Sequence, residues 1–133
     1  MDRQRLLDIA AEAIRTDLLE PQGLNAPYLP IDDGQGEFPM EIGLAVGVTR
    51  YTGAYGQPTS IGISDHPMHQ RPLDVVATLA HEMLHSALPW EVDHGPVFEQ
   101  HANAMGLIGP PTSTVPGPQF IDWFNRRIKP ALA

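Results

Sequence analysis

Three histidines and a glutamate fall within fourteen residues: His81, Glu82, His85 and His94, in the stretch LAHEMLHSALPWEVDHGPVF, 79–98. The segment HEMLH fits the pattern H-E-x-x-H. On a helix, residues four apart share a face, so His81 and His85 can turn their imidazoles to one metal ion. Zinc takes such nitrogens at about 2.0–2.1 Å. Glu82 stands one step round the helix, where it can serve as a base toward a metal-activated water without being a ligand. With six histidines and seven glutamates in 133 residues, roughly 0.014 such motifs are expected by chance. The plain alternative, a solvated helix face that happens to carry these residues, is therefore the weaker reading.

A catalytic zinc needs three protein ligands and one open position. Glu91, Glu99 and His94 are the downstream candidates. His94 is favoured because the chain turns back after Pro89, and Gly95 lets the backbone approach closely. Glu99 is the alternative third ligand, and Glu91 is set aside. Enzymes that hold their metal through cysteine are excluded, because the chain has none.

The motif requires a helix, and the sequence supplies one. Pro72 suits a first helical turn and Asp74 its positive end. Val75, Val76, Leu79, Met83 and Leu84 form an apolar side over 73–88, and Pro89 stops the helix at about Leu88. After a link at 89–93, a second helix starts near His94–Pro96 and runs to about Met105, closed by Gly106. Upstream, Leu6, Leu7, Ile9, Ala10, Ala13, Ile14 and Leu18 predict an amphipathic helix over 4–19, closed by Pro21 and Gly23. Residues 21–39, rich in proline and glycine, read as irregular loop. IGLAVGV alternates and predicts a strand from 42 to 48, extending toward Thr52, and TSIGIS at 59–64 predicts a second that pairs with it. LIGPPTSTVPGP reads as loop with room for a short extended piece, and QFIDWFNRRI then predicts a last amphipathic helix with Phe120, Ile121, Trp123, Phe124 and Ile128 on its apolar face. The expected class is α+β in a single domain, 1–133.

Composition is that of a globular chain, 42% hydrophobic and 18% charged. The net charge of −8 argues against a nucleic-acid surface, which needs Lys and Arg on phosphates. Arg126, Arg127 and Lys129 form the one basic cluster and read as favourable charge in a last helical turn. The N-terminal stretch is dotted with charge and does not look like a signal peptide. No apolar run nears the roughly 18 residues of a membrane span. A cytoplasmic protein is expected (in the host cytoplasm, for a phage-encoded chain).

HEMLHSAL followed by DHGPVFEQHANAMGL resembles the SprT-like zinc metalloproteases. Their pattern is H-E-x-x-H-A, a short link, then H-G-x-x-F on the next helix. The matching positions are His81, Glu82, His85, His94, Gly95 and Phe98; Ser86 departs from the alanine. MGLIGPPTSTVPGPQF is similar to a segment of the compact phage and bacterial members, and the likeness covers about 72–120. The resemblance implies a zincin-like fold: an N-terminal helix, a small antiparallel or mixed sheet, the active-site helix and a ligand-bearing helix. It implies a zinc endopeptidase acting on peptide or protein substrates, with a sheet edge, expected at 59–64, that pairs with extended peptide. Many members carry a cysteine zinc ribbon or a basic DNA-binding region. This chain has neither, so what carries over is the protease core.

Ligand histidines commonly donate their second ring N–H to a supporting group. Asp93, Glu99, Glu91 and His101 are the candidates nearby, although Asp93 equally suits a helix N-cap. Tyr51, Tyr55, Arg50 and His101 are candidates for a donor to the developing oxyanion. His66 and His69 read as surface residues rather than a second metal site, Trp90 as a cap over the core and Phe98 as the anchor of the ligand helix. Two readings compete with the peptidase: a zinc-holding module that does not cut, and a metal-free interaction domain. Glu82 separates the first of these from an enzyme, since a purely structural zinc gains nothing from it.

Overall fold

The computed structural model describes residues 2–33, 47–53, 56–64 and 71–133. Within them the chain is a mixed α+β structure. Helix α1, Arg3–Ala13, starts where the Asp2 carboxylate accepts hydrogen bonds from the backbone N–H groups of Gln4 and Arg5. That satisfies donors left orphaned in a first turn. The helix runs on through a wider π-type turn, Ile14–Leu19, and ends at left-handed Gly23. Leu6, Leu7, Ala10, Ala13, Ile14 and Leu19 are buried, as the helical spacing predicts, with Ile9 and Leu18 partly buried beside them.

Three strands form the main sheet: β1, Ile31–Asp32; β2, Gly47–Tyr51; and β3, Pro58–Ile63. Their order is β1-β3-β2, with β1 parallel and β2 antiparallel to β3. The expected pairing of the two sequence-predicted strands holds over Gly47–Tyr51; residues 42–46 of that expectation lie outside the described residues. Two expectations are corrected. Residues 21–39 are not loop throughout, because Ile31–Asp32 joins the sheet. Pro30 keeps its neighbour extended, and its carbonyl accepts from Ile61 N–H at 2.9 Å. The 59–64 strand is therefore not an edge: β3 is flanked on both sides, and among the described residues β2 is the edge beside the histidine helix.

That helix is α2, Pro72–Ala87, opened by Pro72 and ended at Leu88 before Pro89. Its predicted apolar side is buried, and so are His81, Glu82 and Ser86. Burying the polar side of a helix is costly unless every group is partnered, which is the first structural sign of a site. Helix α3, Pro96–Ala104, follows. Two short strands, β4 Leu107–Ile108 and β5 Val115–Pro116, pair as a hairpin within the stretch expected as loop with a short extended piece. Helix α4, Pro118–Trp123, continues as a π-type turn, Phe124–Ile128. Phe120, Trp123, Phe124 and Ile128 enter the core, while Ile121, expected with them, is 36% exposed. The two π-type turns meet at Asp17, which accepts from Trp123 Nε1 and Arg127 Nε, each at 3.0 Å. With Arg126 paired to Asp122, both arginines of the C-terminal basic cluster are paired within the chain. No helix among the described residues is long and apolar enough to cross a membrane.

Candidate metal centre

Helix α2 carries His81 and His85 one turn apart, and the turn before α3 brings His94 to them. The three offer ring nitrogens within 4.8 Å of one another. His94 Nε2 lies 3.4 Å from His81 Nε2 and 2.9 Å from His85 Nε2. Three nitrogens about 2.0–2.1 Å from a tetrahedral zinc stand about 3.3–3.4 Å apart. The spacing therefore suits one small ion, with the shorter contact needing only a slight opening.

The far ring nitrogens fix what the near ones present. His81 Nδ1 lies 2.8 Å from Thr114 Oγ1, and His94 Nδ1 lies 3.2 Å from an Asp93 carboxylate oxygen. Assigning a proton to each Nδ1 satisfies both contacts. The Nε2 atoms of His81 and His94 then face each other as lone pairs. That is unfavourable in an empty site and is what a cation requires. Phe98, fully buried, forms the floor. Its ring stacks on His85 at 4.3 Å between centroids and meets His81 at 4.9 Å and His94 at 5.2 Å.

Burial, then the neighbouring His85 and His94, holds His81 down to a pKa of about 3. Burial, then His94, holds His85 down to about 4. Both rings are neutral at pH 7, as metal binding needs. Glu82 moves the other way: burial raises its carboxyl to about 7, against the opposing hydrogen bond from Thr49. These directions predict a pH effect on the metal-free protein. Between the unfolded and folded pKa values, unfolded His81 and His85 bind protons that the folded rings refuse, so their contribution to stability is lost as pH falls below about 6.5. Folded Glu82 binds a proton that the unfolded chain gives up above about 4.5, which opposes the loss. Two protons outweigh one, so this site makes urea stability at pH 5 lower than at pH 7. The drop should be steeper in Glu82→Gln, where the opposing group is gone; an equal or shallower drop in that variant would contradict the assignment.

Glu82 is positioned by β2. Thr49 Oγ1 lies 2.9 Å from both Glu82 Oε1 and the Glu82 carbonyl. Gly47, two residues earlier on the same face, lets the strand come close: a Cβ there would sit 2.6 Å from Thr78 Cγ2 and 3.0 Å from Glu82 Cγ. Tyr51, two residues later, donates its hydroxyl to the His85 carbonyl at 3.3 Å. Burial, and then the charges of Glu82 and Asp93, push its pKa up to about 12, so it stays protonated. A strand alternates its faces, and here residues 47, 49 and 51 all serve α2.

The other candidates fall away from the centre. Arg50 points from β2 to Asp32 and Ser60, at 2.8–2.9 Å. His101 Nδ1 is engaged by Gln22 Oε1 at 2.7 Å, on the α1 side; it does not support a ligand. Glu91 and Glu99 are exposed, and no hydrogen bond among the described residues joins either to a ligand histidine. Of the expected supporting groups, Asp93 alone is in place. It is not the N-cap of α3, a position held by Gly95. Trp90 is 58% exposed and lies over Gly56, where a Cβ would fall 1.7 Å from its ring. Its indole thus ties the link between the ligands to the β2–β3 turn rather than capping the core. Tyr55, His66 and His69 lie outside the described residues. Thr49 and Thr114 were not anticipated. Strand alternation around Gly47 and Tyr51 could have marked Thr49; nothing local marks Thr114.

Comparison of the chain with protein-family models, with curated proteins and with solved structures finds no match.

Proposed function

We propose that this chain is a zinc-dependent endopeptidase with a zincin-like, SprT-like core that hydrolyses peptide bonds in extended polypeptide. The observation that carries the reading is the convergence of three histidines beside a buried glutamate that is no part of their cluster. His81, His85 and His94 would hold the ion through Nε2. A bound zinc supplies Lewis acidity toward a water molecule and a substrate carbonyl.

The chain's own groups do the rest. Glu82 takes a proton from the attacking water and delivers one to the departing amine. Burial raises the Glu82 pKa in the metal-free chain, the direction that makes a carboxylate a better proton acceptor. Thr49 fixes one carboxylate oxygen and leaves the other for that exchange. Tyr51, protonated and resting against the His85 carbonyl at 3.3 Å, would serve the developing oxyanion by turning its one hydroxyl proton away from that carbonyl. Arg50 and His101 are spent elsewhere. The exposed side of β2, an edge among the described residues, offers backbone groups to an extended peptide. A zinc module that does not cut would leave the burial of Glu82 without a use.

The test is cleavage of an unstructured protein such as reduced, denatured casein by the zinc-loaded chain, followed by mass spectrometry of the fragments. Cleavage is expected, with loss on chelation and return on adding zinc. Intact casein, together with intact peptides from a combinatorial library, would contradict the reading.

A further inference from the structure

Asp93 is the one non-glycine residue with positive φ among the described residues, at φ 47° and ψ −132°. Those angles belong to the first central position of a type II′ turn, a place for glycine. The turn is complete: Gly95 N–H donates to the Val92 carbonyl at 3.0 Å, with Asp93 and His94 as its central pair. It is also tightly framed. Val92 N–H donates to the Pro89 carbonyl, Asp93 N–H to that of Trp90, and Glu99 N–H to that of Gly95 as α3 begins. An L side chain in this conformation lowers folding stability, and glycine would serve the turn better. The backbone alone gives no reason for an aspartate.

The side chain gives one. An Asp93 carboxylate oxygen lies 3.2 Å from His94 Nδ1. A negative carboxylate beside Nδ1 favours the tautomer with the proton there, which leaves the Nε2 lone pair on the side of His81 and His85, 3.4 and 2.9 Å away. The neighbouring ligand is fixed differently, by the Thr114 hydroxyl on His81. We propose that Asp93 is a positioning residue for the metal, retained at a strained turn because its carboxylate aims the third ligand. The inference rests on the metal reading. It goes beyond it in assigning a stability cost to ligand orientation at one residue. Because the Asp93 side chain is 80% exposed, water competes for the contact and the effect belongs at the lower end of those seen for supporting groups.

The experiment measures zinc dissociation constants by chelator competition, and the melting temperature of the metal-free protein, for wild type, Asp93→Asn, Asp93→Ala and Asp93→Gly. Asparagine keeps an acceptor oxygen and should bind zinc within a few-fold of wild type. Alanine and glycine remove it and should bind about tenfold more weakly. Glycine relieves the strain, so its metal-free melting temperature should rise by several degrees, while that of the alanine variant should not. The signature is a glycine variant that is more stable without metal and weaker toward it. A glycine variant that binds as tightly as wild type, or melts no higher, would overturn the proposal while leaving the three-histidine site standing. A wild type that binds no zinc would overturn both.

Discussion

Glu82→Gln is expected to keep the fold and the zinc while lowering peptide cleavage by about 10²–10⁴-fold, the range for removing a general acid–base group. Glutamine has nearly the same shape, and its carbonyl can still accept from Thr49, which lies 2.9 Å from Glu82 Oε1. Packing against Gly47 is unchanged. What is lost is the ability to take up a proton. The substitution also carries a stability signature that a damaged fold would not give. Burial raises the Glu82 pKa from 4.5 to about 7, so the folded metal-free protein is disfavoured as pH rises through that window. Glutamine removes the penalty. Metal-free Glu82→Gln should therefore be more stable than wild type at pH 8 and match it more closely at pH 4.5, read by urea denaturation. Retained cleavage at the wild-type rate would remove Glu82 from the reaction.

His94→Ala should weaken zinc well beyond the ~10–100-fold associated with losing a supporting partner. It would take away the proposed third ligand and leave two histidines on one helix. The fold should survive, because His94 is only partly buried and its turn is closed by backbone hydrogen bonds from Gly95 and Asp93. Glu99, the other residue weighed as third ligand, is exposed, and Glu99→Ala should leave zinc affinity unchanged. Chelator competition on the two variants separates the alternatives; equal loss in both would contradict the ligand set.

The parts of this site legible in the sequence are the local ones. His81, Glu82 and His85 declare themselves through spacing on a helix whose ends are written as Pro72 and Pro89. His94 follows from a chain that must reverse between Pro89 and Pro96. The parts that were not legible depend on contacts between distant segments. Thr49 and Thr114 each stand 33 residues from the group they hold; alternation marks Thr49 only once the face of the strand turned to α2 is known, and Thr114, in a loop, has no pattern to mark it. His101 looks well placed by helical spacing from His94, yet it is captured by Gln22, 79 residues away. The position of β3 inside the sheet turns on a two-residue strand, too short to show alternation and set among prolines. The strain at Asp93 is a property of one backbone angle. Sequence suggests aspartate there as a cap, whereas the structure gives the cap to Gly95 and the carboxylate to a histidine.

The proposed activity depends on His81, His85 and His94 holding one zinc ion. Elemental mass spectrometry on freshly purified, untagged wild-type protein tests it most directly. Close to one zinc per chain is expected, retained through gel filtration and removed by a strong chelator without unfolding the protein. A folded chain that carries no metal, and takes up none from micromolar zinc, would contradict it.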